Sequence, residues 1–192
     1  MQVITLRVGI LETNCYILAT DNKAVVIDPG DDGDKILEWL KKRRLEVQYI
    51  FNTHGHYDHV LANGQLGRFA KKSIYIHPAD EQRLEKDYST LPLNDGEHFH
   101  FADHKISVIH TPGHTPGSVS FLVDGNLFCG DLLFKQSIGR TDFPEASPRD
   151  MVESLKKVAR LDPQTNVYPG HGPKTTIADE LNENPFLLEL DL

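Results

Sequence analysis

The chain has 192 residues, 39% apolar and 25% charged, with a formal net charge of −8 and a pI near 5.6. That length and balance suit one compact domain, residues 1–192, with a sizeable core, and exclude a disordered chain. The acidic balance argues against a surface that tracks phosphates, so no nucleic-acid partner is expected, and no apolar run is long enough to suggest a membrane span.

The amino-terminal residues 1–10 lack the basic start, apolar stretch and small-residue cleavage site of a signal peptide. Cys15 and Cys129 are the two cysteines, and both stand in strand-like surroundings. They read as buried thiols of a reducing compartment, and a cytoplasmic location is expected.

Residues 3–10, 15–19 and 24–27 read as a β-meander with turns at 12–14 and 21–22. Asp28-Pro29-Gly30 ends it, and residues 34–43 follow as a helix with Ile36, Leu37 and Leu40 at helical spacing. Asp28 is read equally as a turn former or as a carboxylate supporting a nearby site. Residues 47–51 are β-branched and aromatic and predict a buried strand.

Where that strand ends, residues 53–60 read Thr-His-Gly-His-Tyr-Asp-His-Val. Imidazoles suit zinc, iron and similar cations, and a carboxylate adds the hard oxygen of many hydrolytic metal sites. Side chains two apart on extended backbone share a face, so His54 and His56 are placed to grip one ion, with Gly55 keeping the path open. Asp58 and His59 open a predicted helix over 58–70, diverge by about 100° and turn toward a second ion.

Downstream, 73–76 predicts a strand and 79–86 a charged helix. His77 is taken as a strand-end residue. His98, His100 and His104 alternate with Phe99 and Phe101 and are expected on a solvated strand face. His114 sits in a rigid Thr-Pro-Gly-His-Thr-Pro-Gly loop, and Pro-Gly-His171-Gly-Pro repeats that design. A hairpin over 119–129 turns at Asp124-Gly125 and delivers Gly130-Asp131. The Asp131 carboxylate is able to bridge two cations, although a turn-forming or capping role fits the same position. Ser147-Pro148-Arg149-Asp150 is expected to start a helix that 151–161 carries on, and a closing helix is predicted over 175–182.

His54-x-His56-x-Asp58-His59, followed in order by His114, Asp131 and His171, resembles the metallo-β-lactamase superfamily of metal-dependent hydrolases. The resemblance covers nearly the whole chain. It implies an α/β (α+β) fold, the four-layer αββα sandwich, with the metals at one edge. It also implies one ion on His54, His56 and His114 and another on Asp58, His59 and His171, with Asp131 and a water or hydroxide bridging. The expected cofactor is two divalent metal ions per chain, zinc first, with iron or manganese as alternatives.

True β-lactamases of the superfamily usually lack a histidine at the place of His59 and often carry a cysteine near that of Asp131. Gly-Asp-Leu-Leu-Phe at 130–134, Ser-Ile-Gly-Arg-Thr-Asp-Phe at 137–143 and Tyr-Pro-Gly-His-Gly at 168–172 instead resemble the short bacterial hydroxyacylglutathione hydrolases, or glyoxalase II. That resemblance implies hydrolysis of a small-molecule thioester, S-D-lactoylglutathione or a relative, by a metal-bridging hydroxide. Asp58 would also orient the nucleophile as a catalytic residue. Arg140, Lys135 and Tyr16 are candidates for holding the thiol carrier. Residues 139–143 also look like the persulfide dioxygenases, which hold a single iron at the equivalents of His54, His114 and Asp131. A phosphodiesterase or nuclease is a weaker alternative.

Overall fold

The computed structural model describes residues 1–85 and 87–191. A first sheet runs in the order β1 (Gln2–Val8), β2 (Thr13–Thr20), β3 (Lys23–Ile27), β4 (Glu46–Phe51), β5 (Ile74–Ile76) and β6 (Thr90–Pro92). β1, β2 and β3 are the antiparallel meander, whereas β4, β5 and β6 each run parallel to the preceding strand. The parallel steps are crossovers that carry α1 (Gly33–Lys42), the pair α2 (Tyr57–Val60) and α3 (Asn63–Ala70), and α4 (Pro78–Glu81).

The second sheet contains β7 (His98–Phe101), β8 (His104–His110), β9 (Val119–Val123) and β10 (Asn126–Gly130). After the small ribbon β11 (Leu133–Phe134) and β12 (Ser137–Ile138) and helix α5 (Pro148–Ala159), it is completed by β13 (Asn166–Pro169) and β14 (Thr175–Thr176). The chain then ends in α6 (Ile177–Glu183) and α7 (Pro185–Leu188).

Alternation along the strands sorts the side chains into layers. Leu18, Val25, Ile27 and Phe51 of the first sheet meet Phe101, Ile106, Phe121 and Phe128 of the second in the central core. Their neighbours Cys15, Ile17, Val26 and Ile50 face outward onto Ile36, Leu40 and Leu66 of α1 and α3. On the far side Leu127, Cys129 and Val167 meet Met151, Leu155, Val158 and Ile177 of α5 and α6. The result is the expected αββα sandwich, with inner strands buried on both faces.

Three expectations are corrected. The helix foreseen over 58–70 is broken at Leu61 and Ala62: Leu61 N–H is shared between the Tyr57 and Gly30 carbonyls, each at 3.1 Å, and Ala62 N–H donates to the Pro29 carbonyl at 3.0 Å, so the loop after β3 draws on donors a continuous helix would use. The charged helix foreseen over 79–86 is one turn, Pro78–Glu81; Lys86 lies outside the described residues. The last helix starts later than foreseen, because Thr175 and Thr176 pair with β13 and Thr176 then caps α6 through Asp179 N–H.

The two sheets are tied where β3, β4, β10 and β13 all end. Val119 N–H donates to Thr53 O and Asn14 N–H to Gly170 O, each at 2.8 Å. This edge carries the metal-capable residues.

Candidate metal centre

His54 and His56 follow β4, Asp58 and His59 lie on α2, His114 sits in the β8–β9 loop, Asp131 follows β10 and His171 follows β13. Chain positions up to 117 residues apart thus converge. Nitrogens of His54, His56 and His114 lie mutually within 4.8 Å, and so do ligand atoms of Asp58, His59 and His171. His114 Nε2 and His56 Nδ1 face each other at 2.9 Å.

Asp131 stands between the two trios. Its Oδ1 is 3.5 Å from His59 Nε2, and its Oδ2 is 3.6 Å from His114 Nε2 and 3.7 Å from His171 Nε2. At the centre, His54 Nε2, His59 Nε2 and Asp131 Oδ1 are buried without a hydrogen-bond partner. Lone pairs buried this way are costly unless something else satisfies them, and a cation does so for nitrogen and carboxylate oxygen together. The donor set therefore fits divalent metal.

The outward-facing nitrogens are already committed. His59 Nδ1 lies 2.9 Å from Asp28 Oδ2, His114 Nδ1 2.8 Å from the Arg140 carbonyl, and His171 Nδ1 3.2 Å from the Leu11 carbonyl. These acceptors fix each proton on Nδ1 and leave Nε2 free to ligate. His56 uses the opposite arrangement, with Nε2 3.3 Å from Glu145 and Nδ1 turned inward.

Asp28, His54 and His59 form a third cluster. Asp28 is an orienting residue there: its Oδ1 accepts Thr53 N–H at 2.7 Å, and its Oδ2 accepts the Thr53 hydroxyl at 2.6 Å besides His59. It is buried and held at φ 51°, a backbone conformation uncommon outside glycine. Of its two sequence readings, the supporting carboxylate is the one this geometry carries.

Electrostatics separate the trios. Burial lowers the pKa of His54, and the surrounding imidazoles add to the effect; burial likewise lowers His114 against the pull of Asp131. Burial also opposes the charging of His59, but Asp131, Asp28 and Asp58 outweigh it and raise its pKa to about 9. His171 is raised by Asp58 in spite of burial. Burial would raise Asp58, yet His171, His59 and the Thr13 hydroxyl at 2.9 Å hold it below the usual carboxylate range. A cation arriving at the second trio displaces protons, as metal binding to imidazole generally does.

The centre opens into a cleft of about 580 Å³ lined by Leu11, Tyr57, Phe134 and Phe143 as well as the ligands. Arg140 lines it too, paired through two 2.9 Å bonds with Asp142 and with its guanidinium 4.4 Å from the centre of the Phe143 ring. Lys135 is exposed on the β11–β12 turn and is not among the cleft's lining residues. Tyr16 is corrected outright: it is buried in the core against Phe128 and Tyr168, and its hydroxyl donates to the Pro169 carbonyl at 2.5 Å. Its inward position on β2, opposite Ile27, turned it away from the cleft. Sequence reasoning missed Glu145 and Arg83, which meet at 2.9 Å beside His56, because isolated charges in a loop carry no pattern.

The model of the metallo-beta-lactamase superfamily matches residues 8–171. The chain belongs to the metallo-beta-lactamase superfamily. Among curated relatives, this superfamily member is 31% identical to the hydroxyacylglutathione hydrolase GloC of Haemophilus influenzae, over 97% of this chain and 98% of that one. Among solved structures it is similar to BLEG-1 B3 metallo-beta-lactamase (34% identity, TM-score 0.90, 97% and 99% covered) and to TTHA1623 in a di-iron-bound form (37%, 0.87, 97% and 100%). It is also similar to ETHE1 from Myxococcus xanthus (29%, 0.86, 96% and 84%). Superfamily membership makes the chain a metal-dependent hydrolase by kind, with divalent metal as its cofactor.

Proposed function

We propose that this superfamily member hydrolyses a thioester, S-D-lactoylglutathione or a related hydroxyacyl thioester, in the cytoplasm. The observation that carries the reading is Asp131 standing between two complete ligand trios at the floor of an apolar-walled cleft. The similarity to GloC supports the choice of thioester. Two divalent cations held there, zinc first, would polarise the carbonyl and lower the pKa of a water from about 16 to about 7.

The residues of the chain do the rest. Leu11, Tyr57, Phe134 and Phe143 exclude water from the acyl group and set the carbonyl above Asp131. Asp58, fixed by the Thr13 hydroxyl and held ionised, accepts a hydrogen bond from the nucleophile and orients it. The departing thiolate needs no strong acid, since a free thiol ionises near pH 8.5. Arg140 at the rim takes a carboxylate of the thiol carrier, exchanging it for Asp142.

A second reading is favoured by the likeness to ETHE1: a single iron on His54, His114 and Asp131, oxidising a persulfide with oxygen. Anaerobic thiol release from S-D-lactoylglutathione by zinc-, manganese- and iron-loaded protein separates the two, with a β-lactam as a parallel substrate because of the likeness to BLEG-1. Release without oxygen, abolished in His56→Ala, is the expected result. Oxygen uptake on glutathione persulfide by the iron form, with no anaerobic release, would favour the second reading; cleavage of the β-lactam alone would overturn both.

A further inference from the structure

We infer that Asp80 is a positioning residue for one of the two cations, the one held by His54, His56 and His114, and that the segment from Pro78 to Arg83 is built to carry that position while supplying no ligand to it. This rests on the reading of the cleft as a two-cation site.

Asp80 is fully buried on α4, a helix of one turn. Its carboxylate spends both oxygens on the two loops that present the trio. Oδ2 accepts the Gly55 N–H at 2.8 Å, the peptide between His54 and His56, and the Thr115 hydroxyl at 2.7 Å, next to His114. Oδ1 accepts the Gly117 N–H at 2.9 Å from the same loop as His114. One carboxylate therefore fixes the spacing of two loops 58 residues apart in sequence, as the facing of His56 and His114 shows. A buried carboxylate satisfied by three donors holds geometry better than neutral bonds would, because charge-assisted bonds are shorter and stronger.

The backbone is cut to admit it. A Cβ on Gly117 would lie 2.6 Å from the Asp80 carboxylate, and one on Gly55 would meet the Asp80 carbonyl at 2.9 Å and the Arg83 side chain at 3.0 Å. Glycine at 55 is thus explained by close approach of this segment rather than by an unusual backbone angle. Arg83, one turn on, completes the support. Its Nη1 lies 2.9 Å from Glu145, whose carboxylate lies 3.3 Å from His56 Nε2, so the third imidazole is aimed from the same segment.

The other trio draws on different partners. Asp58, His59 and His171 are oriented by Thr13, Asp28 and the Leu11 carbonyl, none of which Asp80 touches. Loss of Asp80 therefore acts on one cation selectively. In Asp80→Asn the amide nitrogen must face a backbone N–H, that of Gly55 or that of Gly117, so one of the two loops is held less tightly.

The test is a cobalt(II) titration of metal-free protein, followed by visible absorption and by metal per chain after gel filtration. Wild type is expected to hold two ions. Asp80→Asn is expected to bind the first-trio ion 10- to 100-fold more weakly, the range seen when partners of metal ligands are removed, and the other ion unchanged. The spectrum it retains should match that of His114→Ala, which marks loss of the same position. Should Asp80→Asn fail to fold, Thr115→Val removes one donor isosterically and is expected to shift the same ion in the same direction. Two ions held with wild-type affinity by whichever variant folds would overturn the inference. Wild type holding fewer than two would instead overturn the two-cation reading on which it rests.

Discussion

The two sheets contribute to the metal centre in opposite styles. The first supplies His54, His56, Asp58 and His59 from six consecutive residues after one strand, whereas the second supplies His114, Asp131 and His171 singly from three loops. The contiguous group is backed by the buried carboxylate of Asp28 and tied to the His114 loop by that of Asp80, both from the first sheet's own crossovers. The dispersed group is held mainly by backbone carbonyls, Arg140 for His114 and Leu11 for His171. A local cluster sets ligand identity; the distant single residues close each cation position, and Asp131 joins the two.

That contrast breaks most readily at its junction. Asp131→Ala should remove the shared carboxylate and leave His59 Nε2 with Asp58 as its facing anion, so turnover on the thioester should fall by at least about 10²-fold with metal content reduced. Asp58→Ala should lose a ligand and the orienter of the nucleophile together, again at least about 10²-fold in kcat by steady-state kinetics. Asp28→Ala tests the support behind the contiguous group: His59 Nδ1 and two Thr53 donors lose their acceptor, and metal affinity measured by chelator competition should weaken about 10- to 100-fold.

The smallest effects sharpen the boundary between centre and core. Tyr16→Phe removes one hydroxyl bond to Pro169 and should cost about 0.5–1.5 kcal/mol in chemical denaturation with kcat unchanged. Cys15 and Cys129 face opposite helix layers, one on each sheet, and burial raises both thiols, Cys129 to about 12. They should resist alkylation in the native state at pH 8 and react once the protein is unfolded. The sign of the linkage follows: folding disfavours the thiolate, so stability falls as pH rises above 9, where only the unfolded thiols ionise.

The same contrast explains what the sequence made legible. His54 to His59 is read directly because its ligands share one strand end, and the apolar run at 15–19 is enough to predict a strand. His114 and His171 stand out as lone histidines in Gly/Pro loops. The orientation of Tyr16 was missed because alternation gives a period without saying which face meets the other sheet. Asp80, Arg83 and Glu145 were missed for a different reason: each is an ordinary charge in a short segment, and its importance exists only where loops distant in sequence meet. The break between α2 and α3 was hidden similarly, since the Pro29 and Gly30 carbonyls that cause it come from another loop.

The most direct test of the account is to strip the protein of metal, add zinc in known equivalents and follow thiol release from S-D-lactoylglutathione under argon. The account predicts activity that rises until two equivalents are bound per chain and then levels off. A plateau at one equivalent, or activity that stays absent at any amount of metal, would contradict it.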